Sequence, residues 1–311
     1  MVGKYATETL QANESGIARA AEILRAGGVV AVPTETVYGL AGRADSEEAV
    51  TRIYEAKGRP SFNPLIVHVP SIERAKRLAV FGEEATELAL GYWPGPLTLV
   101  LPKREEAELA AKATAGLPTL ALRVPDHPVM SALLGAVDFP LAAPSANPSG
   151  FISPTSAKHV LASLDGRIDA VIDGGVSRAG LESTILAVRD DGTVEELRPG
   201  PIKVAPRDSA RQYDAIEAPG QLASHYAPGK PLRLDASDHA GDEFMIGFAG
   251  IAGDCTLSGA GNLEEAASRL YACLHLGAAS AKPRIAVAPI PDRDIGIAIN
   301  DRLRRAATPP D

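Results

Sequence analysis

Two polar turns, joined by one predicted helix, carry many of the side chains in this sequence that could bind an anion. The first turn reads PTETVYGL at residues 33–40, and the second begins KGRPSFNPLIVH at residues 57–68. Lys57 and Arg59 stand on either side of Gly58, so both cations can turn toward one bound anion. An arginine fork suits the oxygens of a phosphate or carboxylate, whereas a lysine supplies a point charge. The alternative is a solvated helix end whose cations offset the helix dipole.

Further hydroxyl, amide and guanidinium groups recur downstream at the ends of apolar runs. They lie in LALRVP (120–125), AAPSAN (142–147), SPT (153–155), LEST (181–184) and LRPG (197–200). Short polar side chains in such turns can bind phosphate or ribose oxygens, but each turn alone could simply satisfy its own backbone. Because Arg123 and Arg198 also end predicted strands, where ligands bind in α/β folds, the pattern favours one pocket for a small anion-bearing ligand.

Several common catalytic motifs are absent from the sequence. It has no GxxxxGK[ST] phosphate loop, no HExxH zinc motif and no GxSxG nucleophile motif. The glycine-rich segments at 173–180 and 247–253 lack the GxGxxG spacing and are typical of turns. We therefore expect no covalent intermediate, and an enzyme that acts by positioning its substrates, with Lys57 and Arg59 as charge stabilisers.

Composition limits the class of protein. The chain has 311 residues, of which 45% are hydrophobic and 23% charged, a balance typical of a globular protein with two domains. A net charge of −8 argues against a broad basic face for nucleic acid. No run approaches the ~20 apolar residues of a membrane span, so a soluble, cytoplasmic protein is expected. Cys255 and Cys273 lack metal spacing and are expected to be reduced thiols.

Apolar runs alternate with helical patterns, which predicts a mixed α/β sheet with helices packed on it. Asp45 with Glu48 predicts a capping box at the start of the second helix, and Gly58 predicts its end. The predicted strands are 29–32, 65–69, 97–101, 119–124, 141–143, 169–173 and 183–188, and the predicted helices are 13–26, 71–79, 83–92, 127–135 and 155–164.

The character of the chain changes after Ala205. Residues 206–230 have the composition of a linker, and its Tyr226 is either exposed or part of a lid over a filled pocket. A smaller α/β unit is predicted from residue 231 onward. Its predicted strands are 231–235, 244–249 and 284–290, and its predicted helices are 263–276 and about 296–306.

Ten strings, in this order, resemble the Sua5/YciO/YrdC family. None is specific alone, but together they span residues 28–232, and AINDRLRRAA (298–307) resembles the end of bacterial members. One departure is Ser224, which stands where a basic residue is common. The strings are PTETVYGL, KGRPSFNPLIVH, WPGPLT, LRVPDHP, AAPSAN, SPT, DGG, GLEST, LRPG and HYAPGKPL.

The resemblance implies an architecture and a reaction. It implies a YrdC-like twisted mixed sheet with flanking helices at residues 1–205, a linker or lid over the active site at 206–230, and a smaller Rossmann-like α/β domain of the Sua5 type at 231–311. It further implies that L-threonine, bicarbonate or CO₂, and ATP give L-threonylcarbamoyl-AMP and pyrophosphate. That adenylate feeds the threonylcarbamoyl modification of adenosine 37 in tRNAs that read codons beginning with A.

The resemblance also implies the partners. Mg²⁺ is expected to arrive with ATP, and no protein metal ligand is assigned. The product would pass to the downstream tRNA threonylcarbamoyltransferase machinery. Contact with a membrane and stable direct binding of tRNA are not expected.

Site residues carried over from the family form two groups. Arg123 suits the carboxylate of the amino acid, Ala143 would contribute its backbone, and His68 would serve either as a base or only as a binding group. The threonine pocket would comprise Thr36, His68, Arg123, Ala143 and Ser183. The ATP side would comprise Lys57, Arg59, Asn63, Thr119, Ser145, Asn147, Ser153, Arg198 and Tyr226.

Two other functions use the same features. The scaffold could form another carbamoyl adenylate, as in the related domain of hydrogenase-maturation carbamoyltransferases, but those proteins carry zinc-finger-like cysteine pairs that this chain lacks. A non-catalytic RNA-binding module is the second alternative, and the acidic net charge and the 5% aromatic content argue against it.

Overall fold

A ten-stranded mixed sheet organises the first two thirds of the chain. The structure is a computed structural model that describes residues 6–204, 217–221, 223–238 and 240–309. The sheet has the order β1-β8-β2-β3-β7-β4-β6-β5-β9-β10. Its strands are β1 (Glu8–Gln11), β2 (Val30–Val32), β3 (Gly39–Arg43), β4 (Ile66–His68), β5 (Leu97–Pro102), β6 (Thr119–Arg123), β7 (Leu141–Ala142), β8 (Ala170–Asp173), β9 (Thr184–Val188) and β10 (Val194–Arg198).

Helices cover this sheet, and apolar residues on the strands and helices form its cores. They are α1 (Glu14–Arg25), α2 (Glu47–Lys57), α3 (Ile72–Ala75), α4 (Glu83–Tyr92), α5 (Pro128–Ala136) and α6 (Ala157–Leu164), with one 3₁₀ turn at Ala111–Thr114. Strands β2, β4 and β9 are buried along their whole length, as expected for strands covered on both faces.

Helix α2 shows how local sequence places the cations. Its N-cap is Ser46, whose side chain accepts a hydrogen bond from the Ala49 N–H. The predicted cap at Asp45 is therefore wrong, because that carboxylate instead forms an ion pair with Arg43. The helix ends at Gly58, whose φ of 59° is a left-handed conformation that glycine adopts without strain.

Strand register brings two predicted site residues together. Strands β4 and β6 are parallel, and their register pairs His68 with Arg123 at the carboxyl end of both strands. The neighbouring strand β7 is antiparallel to β4 and pairs Leu141 with His68. Strand β7 therefore begins opposite His68, and Ala143, which follows it, donates its N–H to the Ile66 carbonyl at 3.0 Å.

A second, four-stranded parallel sheet lies in the last third of the chain. Its strands are β11 (Leu232–Arg233), β12 (Glu243–Gly247), β13 (Cys255–Thr256) and β14 (Arg284–Val287), in the order β11-β14-β12-β13. Helices α7 (Leu263–Ala279) and α8 (Gly296–Ala307) pack against it. The predicted α/β fold with a twisted mixed sheet, flanking helices and a smaller second α/β unit is confirmed.

The two units share apolar packing. The core of the smaller unit also contains Val37, Ile152, Leu181 and Tyr226, which precede β11 in the chain. The predicted division between residues 205 and 206 lies outside the described residues. None of the described helices has the length and apolar character that crossing a membrane requires.

The structure differs from several sequence predictions. Strands β1, β3, β10 and β13 were not predicted, and helix α3 covers only four residues of the predicted 71–79. Cys255 and Cys273 form a disulfide, so the prediction of two reduced thiols is wrong. Helix α7 packs on β13 and brings their Cα atoms to 6.0 Å, a proximity that their separation of 18 residues does not reveal.

Candidate active site

A small cavity lies where several strands of the large sheet end. Its volume is about 50 Å³, and its wall contains all five predicted threonine-binding residues. Four of the predicted ATP-binding residues, Arg59, Ser145, Arg198 and Tyr226, also line it. The lining residues thus come from turns and strand ends between the first turn motif and the segment that precedes the second unit.

Arg123 is a buried cation on the wall of this cavity. Its Nη1 donates a hydrogen bond to Thr36 Oγ1 at 3.0 Å, and its Nε donates to the Gly95 carbonyl at 3.2 Å. Its Nη2 lies 2.5 Å from Glu35 Oε1 but makes no hydrogen bond of good geometry with a described residue. A guanidinium held in this way can still donate to the carboxylate of a ligand.

His68 lies beside Arg123 and is also buried. Burial and the nearby Arg123 charge lower the pKa of His68 to about 3. The imidazole is therefore neutral near pH 7, and its Nδ1 lies 3.3 Å from the Ile66 carbonyl oxygen. A buried imidazole of such low basicity is a poor proton acceptor.

Ser183 and Arg198 form the opposite wall. The Arg198 guanidinium donates from Nε and Nη2 to the Ser183 carbonyl at 3.1 and 2.9 Å, and from Nη2 to Ser183 Oγ at 3.1 Å. The same hydroxyl lies 2.7 Å from Thr98 Oγ1. These bonds fix the Ser183 hydroxyl and hold a second cation at the cavity.

Lys57 and Arg59 occupy different positions although only one residue separates them. Lys57 lies behind the wall, where its Nζ donates to the carbonyls of Ser145 and Asn147 at 2.5 and 2.6 Å. Burial lowers the Lys57 pKa well below its usual value. Arg59 reaches the cavity and is held by Asn63, whose carbonyl and side-chain oxygens accept its N–H groups at 3.0 and 2.7 Å. Of these two cations, Arg59 lines the cavity and Lys57 does not; Lys57 instead stabilises the turn that presents Ser145.

Five of the predicted ATP-binding residues do not line the cavity. Besides Lys57 and Asn63, these are Thr119, Asn147 and Ser153. Thr119 begins β6, at the end of the strand opposite to Arg123. The Asn147 amide donates to the carbonyls of Pro148 and Phe151.

Glu182 lines the cavity, and sequence reasoning gave it no role. Its carboxylate accepts hydrogen bonds from the hydroxyls of Ser153 at 2.6 Å and Tyr271 at 2.7 Å, and from Arg302 Nε at 2.9 Å. Burial opposes ionisation, but the charges of Arg302 and Arg198 prevail and lower the Glu182 pKa to about 2. Arg302 lies 120 positions from Glu182 on α8, and no sequence motif signals their contact.

Tyr226 and His225 cover the cavity from the segment before the second sheet. Tyr226 has a φ of 65°, is buried, and its hydroxyl has no hydrogen-bond partner among the described residues. Burial lowers the pKa of His225 to about 3 despite the nearby Glu182. The cover thus presents a neutral imidazole and one unsatisfied phenol, groups that a polar ligand could satisfy.

No cluster of three or more His, Cys, Asp or Glu side chains suited to a metal ion occurs in the described part of the chain. The carboxylates nearest the cavity, Glu35 and Glu182, are already paired with Arg123 and Arg302. The donor set at the cavity therefore suits anions and not a protein-bound cation.

Comparison with known families covers both units of the chain. Residues 22–200 match the Sua5/YciO/YrdC family, whose description reads "Telomere recombination". Residues 176–308 match the family described as "Threonylcarbamoyl-AMP synthase, C-terminal domain". The two matches overlap between residues 176 and 200.

Individual relatives extend over nearly the whole chain. A threonylcarbamoyl-AMP synthase of Bacillus subtilis (strain 168) is 40% identical over 333 residues, covering 97% of this chain and 95% of the relative. A threonylcarbamoyl-AMP synthase of Pyrococcus abyssi is 38% identical over 317 residues, covering 93% of each.

Solved structures give the same relationship. The crystal structure of P. abyssi Sua5 complexed with L-threonine has a TM-score of 0.86 at 36% identity, covering 97% of this chain and 98% of that chain. The structure of Escherichia coli YciO has a TM-score of 0.56 at 23% identity, covering 62% of this chain and 96% of that chain, and shares the fold alone.

Proposed function

The chain belongs to the Sua5/YciO/YrdC family, and from that premise we propose that it forms L-threonylcarbamoyl-AMP. The substrates are L-threonine, bicarbonate or CO₂, and ATP, and the second product is pyrophosphate. The enzyme is a nucleotidyltransferase, and its reaction is the first step of threonylcarbamoyl modification at adenosine 37 of tRNA.

One observation carries the assignment of the site. A single cavity is lined by Arg123, Arg59 and Arg198, and the Nη2 of Arg123, although ion-paired with Glu35, makes no hydrogen bond of good geometry with a described residue. We assign the carboxylate of threonine to Arg123, with Thr36, His68, Ala143 and Ser183 around it. The phosphates of ATP are assigned to the side of Arg59 and Arg198, because one guanidinium group can donate two parallel hydrogen bonds to phosphate oxygens.

The proposed reaction needs two negatively charged substrates close together. The amine of threonine attacks CO₂ and loses a proton, which gives a carbamate. A carbamate oxygen then attacks the α-phosphorus of ATP, and pyrophosphate leaves with the electrons of the broken P–O bond. Arg123 offsets the charge of the carboxylate, while Arg59 and Arg198 offset the charge that develops on the leaving group.

Substrate access requires the cover to move. A cavity of about 50 Å³ accommodates little more than a few water molecules, so a nucleotide does not fit beside the closed wall. Tyr226 and His225 are therefore proposed to swing away when ATP enters and to close over it afterwards. Closure would exclude water from the product, a mixed anhydride that hydrolyses readily.

Mg²⁺ is proposed to enter with ATP and to be held mainly by phosphate oxygens, since the carboxylates at the cavity are paired. The enzyme is proposed to work in the cytoplasm and to pass its product to a tRNA threonylcarbamoyltransferase. Stable tRNA binding is not proposed, because a net charge of −8 disfavours contact with phosphate backbones.

A substrate-omission experiment tests the proposal. The purified full chain is incubated with ATP, threonine, bicarbonate and Mg²⁺, and pyrophosphate release and the adenylate mass are followed while each component is omitted in turn. We expect both signals only in the complete mixture. Activity with carbamoyl phosphate in place of threonine and bicarbonate would favour the other carbamoyl adenylate. Tight tRNA binding without ATP turnover would favour the RNA-binding module.

A further inference from the structure

The second unit supports a residue on the wall of the cavity, although none of its own described residues lines that wall. Glu182 lies on that wall, and its carboxylate Oε2 accepts hydrogen bonds from Tyr271 of α7 at 2.7 Å and from Arg302 of α8 at 2.9 Å. Its Oε1 accepts from Ser153 Oγ at 2.6 Å. The second unit therefore supplies two of the three side-chain donors to this carboxylate.

Arg302 is the central residue of this network. It is fully buried, its Nη1 lies 2.7 Å from Asp301 Oδ2, and its Nη2 donates to the Pro199 carbonyl at 2.9 Å. Its guanidinium carbon lies 5.4 Å from the centre of the Tyr226 ring, within the range of a cation–π contact. One side chain of α8 thus contacts the turn that carries Glu182, the chain just after β10, and the covering tyrosine.

The backbones of the two units also meet at this point. Gly180 has a φ of 69°, and a Cβ added there would lie 2.5 Å from the Ser268 Cα on α7. At the end of α8, the Arg305 carbonyl accepts from the His225 N–H at 3.2 Å, and the Thr308 carbonyl accepts from Ser224 Oγ at 2.9 Å. Helices α7 and α8 therefore contact both the GLEST turn and the covering segment.

We propose that Arg302 is a positioning residue for adenylate formation. Together with Tyr271 it holds Glu182 in one geometry, and through Glu182 and the Tyr226 ring it orients the nucleotide side of the cavity. It does not touch the reacting atoms. The inference rests on the proposed function and gives the second unit a role in it.

The electrostatics favour a positioning role over a purely structural one. A buried carboxylate that loses its cation must take up a proton, turn toward other donors or admit water. Arg198 on the cavity wall is another cation near Glu182, so a released Glu182 would compete with the phosphates for it. Loss of Arg302 should therefore weaken ATP use more than threonine binding.

The test compares Arg302→Met with Arg233→Met. Arg233 is the ion-pair control in the same unit, because it forms a two-point ion pair at 3.0 and 2.7 Å with Glu243, which unlike Glu182 does not line the cavity. Adenylate formation is measured at varied ATP and threonine, together with ATP affinity by calorimetry and Tm. We expect kcat/KM for ATP to fall roughly 10- to 100-fold in Arg302→Met and to stay near the wild-type value in Arg233→Met.

Two milder variants keep the test decisive if Arg302→Met does not fold. Tyr271→Phe removes one hydrogen bond to Glu182, and Glu182→Gln removes the charge at nearly constant shape. Each should raise the KM for ATP more than the KM for threonine. In the pair Glu182→Gln and Arg302→Met, the double variant should lose less than the product of the single effects.

The outcomes separate the two proposals. If the wild-type chain forms no adenylate, the proposed function fails. If the wild type is active but Arg302→Met matches Arg233→Met in ATP affinity and in kcat/KM, the positioning role is overturned. The same conclusion follows if Tyr271→Phe and Glu182→Gln both retain the wild-type KM for ATP.

Discussion

The carboxylate of Glu35 lies 2.5 Å from the guanidinium of Arg123, and these side chains are only 2% and 5% exposed. A buried ion pair compensates each charge for its lost hydration, and removal of one partner leaves the other unpaired. At this cavity the pair also fixes the direction of Arg123 before any substrate arrives. Glu35 thereby competes with the carboxylate of a ligand for the same cation.

Replacing Arg123 by alanine should raise the threonine requirement. The variant loses a charge-assisted hydrogen bond worth about 1.5–3 kcal/mol, so the KM for threonine should rise roughly 10- to 150-fold. Steady-state kinetics of adenylate formation measure the change. Arg43→Ala is the control, because Arg43, the last residue of β3, pairs with Asp45 and does not line the cavity. An unchanged threonine KM in Arg123→Ala would contradict the assigned role.

Replacing Glu35 by glutamine should have opposite effects on stability and on threonine binding. The change leaves Arg123 buried without its counter-ion, so the free energy of unfolding should fall by about 3–5 kcal/mol. Threonine then supplies the missing negative charge, so it should stabilise the variant more than the wild type. Urea denaturation with and without threonine measures both quantities. Equal stabilisation of the two proteins by threonine would count against a competition between Glu35 and the ligand.

The Tyr226 hydroxyl is expected to bind the ligand and not to stabilise the fold. It is buried without a hydrogen-bond partner among the described residues, so Tyr226→Phe should keep or raise the Tm. If the hydroxyl donates to the nucleotide, the KM for ATP should rise about fivefold. Tyr271→Phe is the control for the Tm measurement only, because it loses a hydrogen bond of 2.7 Å and should lower the Tm. An unchanged KM for ATP in Tyr226→Phe would show that this hydroxyl does not contribute to ATP binding.

Acid should destabilise the protein through its buried histidines. Burial lowers the pKa of His68 and of His225 from 6.5 to about 3. Between these two pH values both imidazoles are protonated in the unfolded chain and neutral in the folded chain. Their contribution to the free energy of unfolding is therefore complete above about pH 6.5 and is lost as the pH falls toward 3. Urea denaturation at stepped pH should show a smaller loss in His68→Gln and in His225→Gln than in the wild type. Identical pH dependence in all three proteins would show that these imidazoles are not buried as described.

Sequence alone could predict the long apolar strands and the helices with clear caps. Strands such as β5 and β9 are nearly continuous apolar runs, and Gly58 correctly marks the end of α2. Strands β1, β3 and β10 could not be predicted in the same way. Charged residues or glycines interrupt their apolar patterns, and only pairing with neighbours in the sheet makes them strands.

The candidate site was only partly accessible to sequence reasoning. Motif residues at strand ends, such as Arg123 and Arg198, do converge, because β6 and β10 run in the same direction and both end at the edge of the sheet where β5 and β9 begin. Lys57 is predicted from its charge, its spacing to Arg59 and the family resemblance, and none of these reveals that two carbonyl oxygens already accept its ammonium group. Glu35 and Arg302 could not be predicted as site residues, because each is tied to the cavity by an ion pair with a residue distant in the sequence. Glu35 pairs with Arg123, and Arg302 pairs with Glu182.

The close approach of Gly180 to helix α7 limits how the chain can be shortened. A version that stops near residue 204 would keep the GLEST turn and every strand of the large sheet. It would also leave Glu182, on the wall of the proposed ATP site, with the Ser153 hydroxyl but without the Tyr271 hydroxyl and the Arg302 guanidinium. Removal of the second unit would therefore take a positive charge away from beside the cavity, as well as making the molecule smaller.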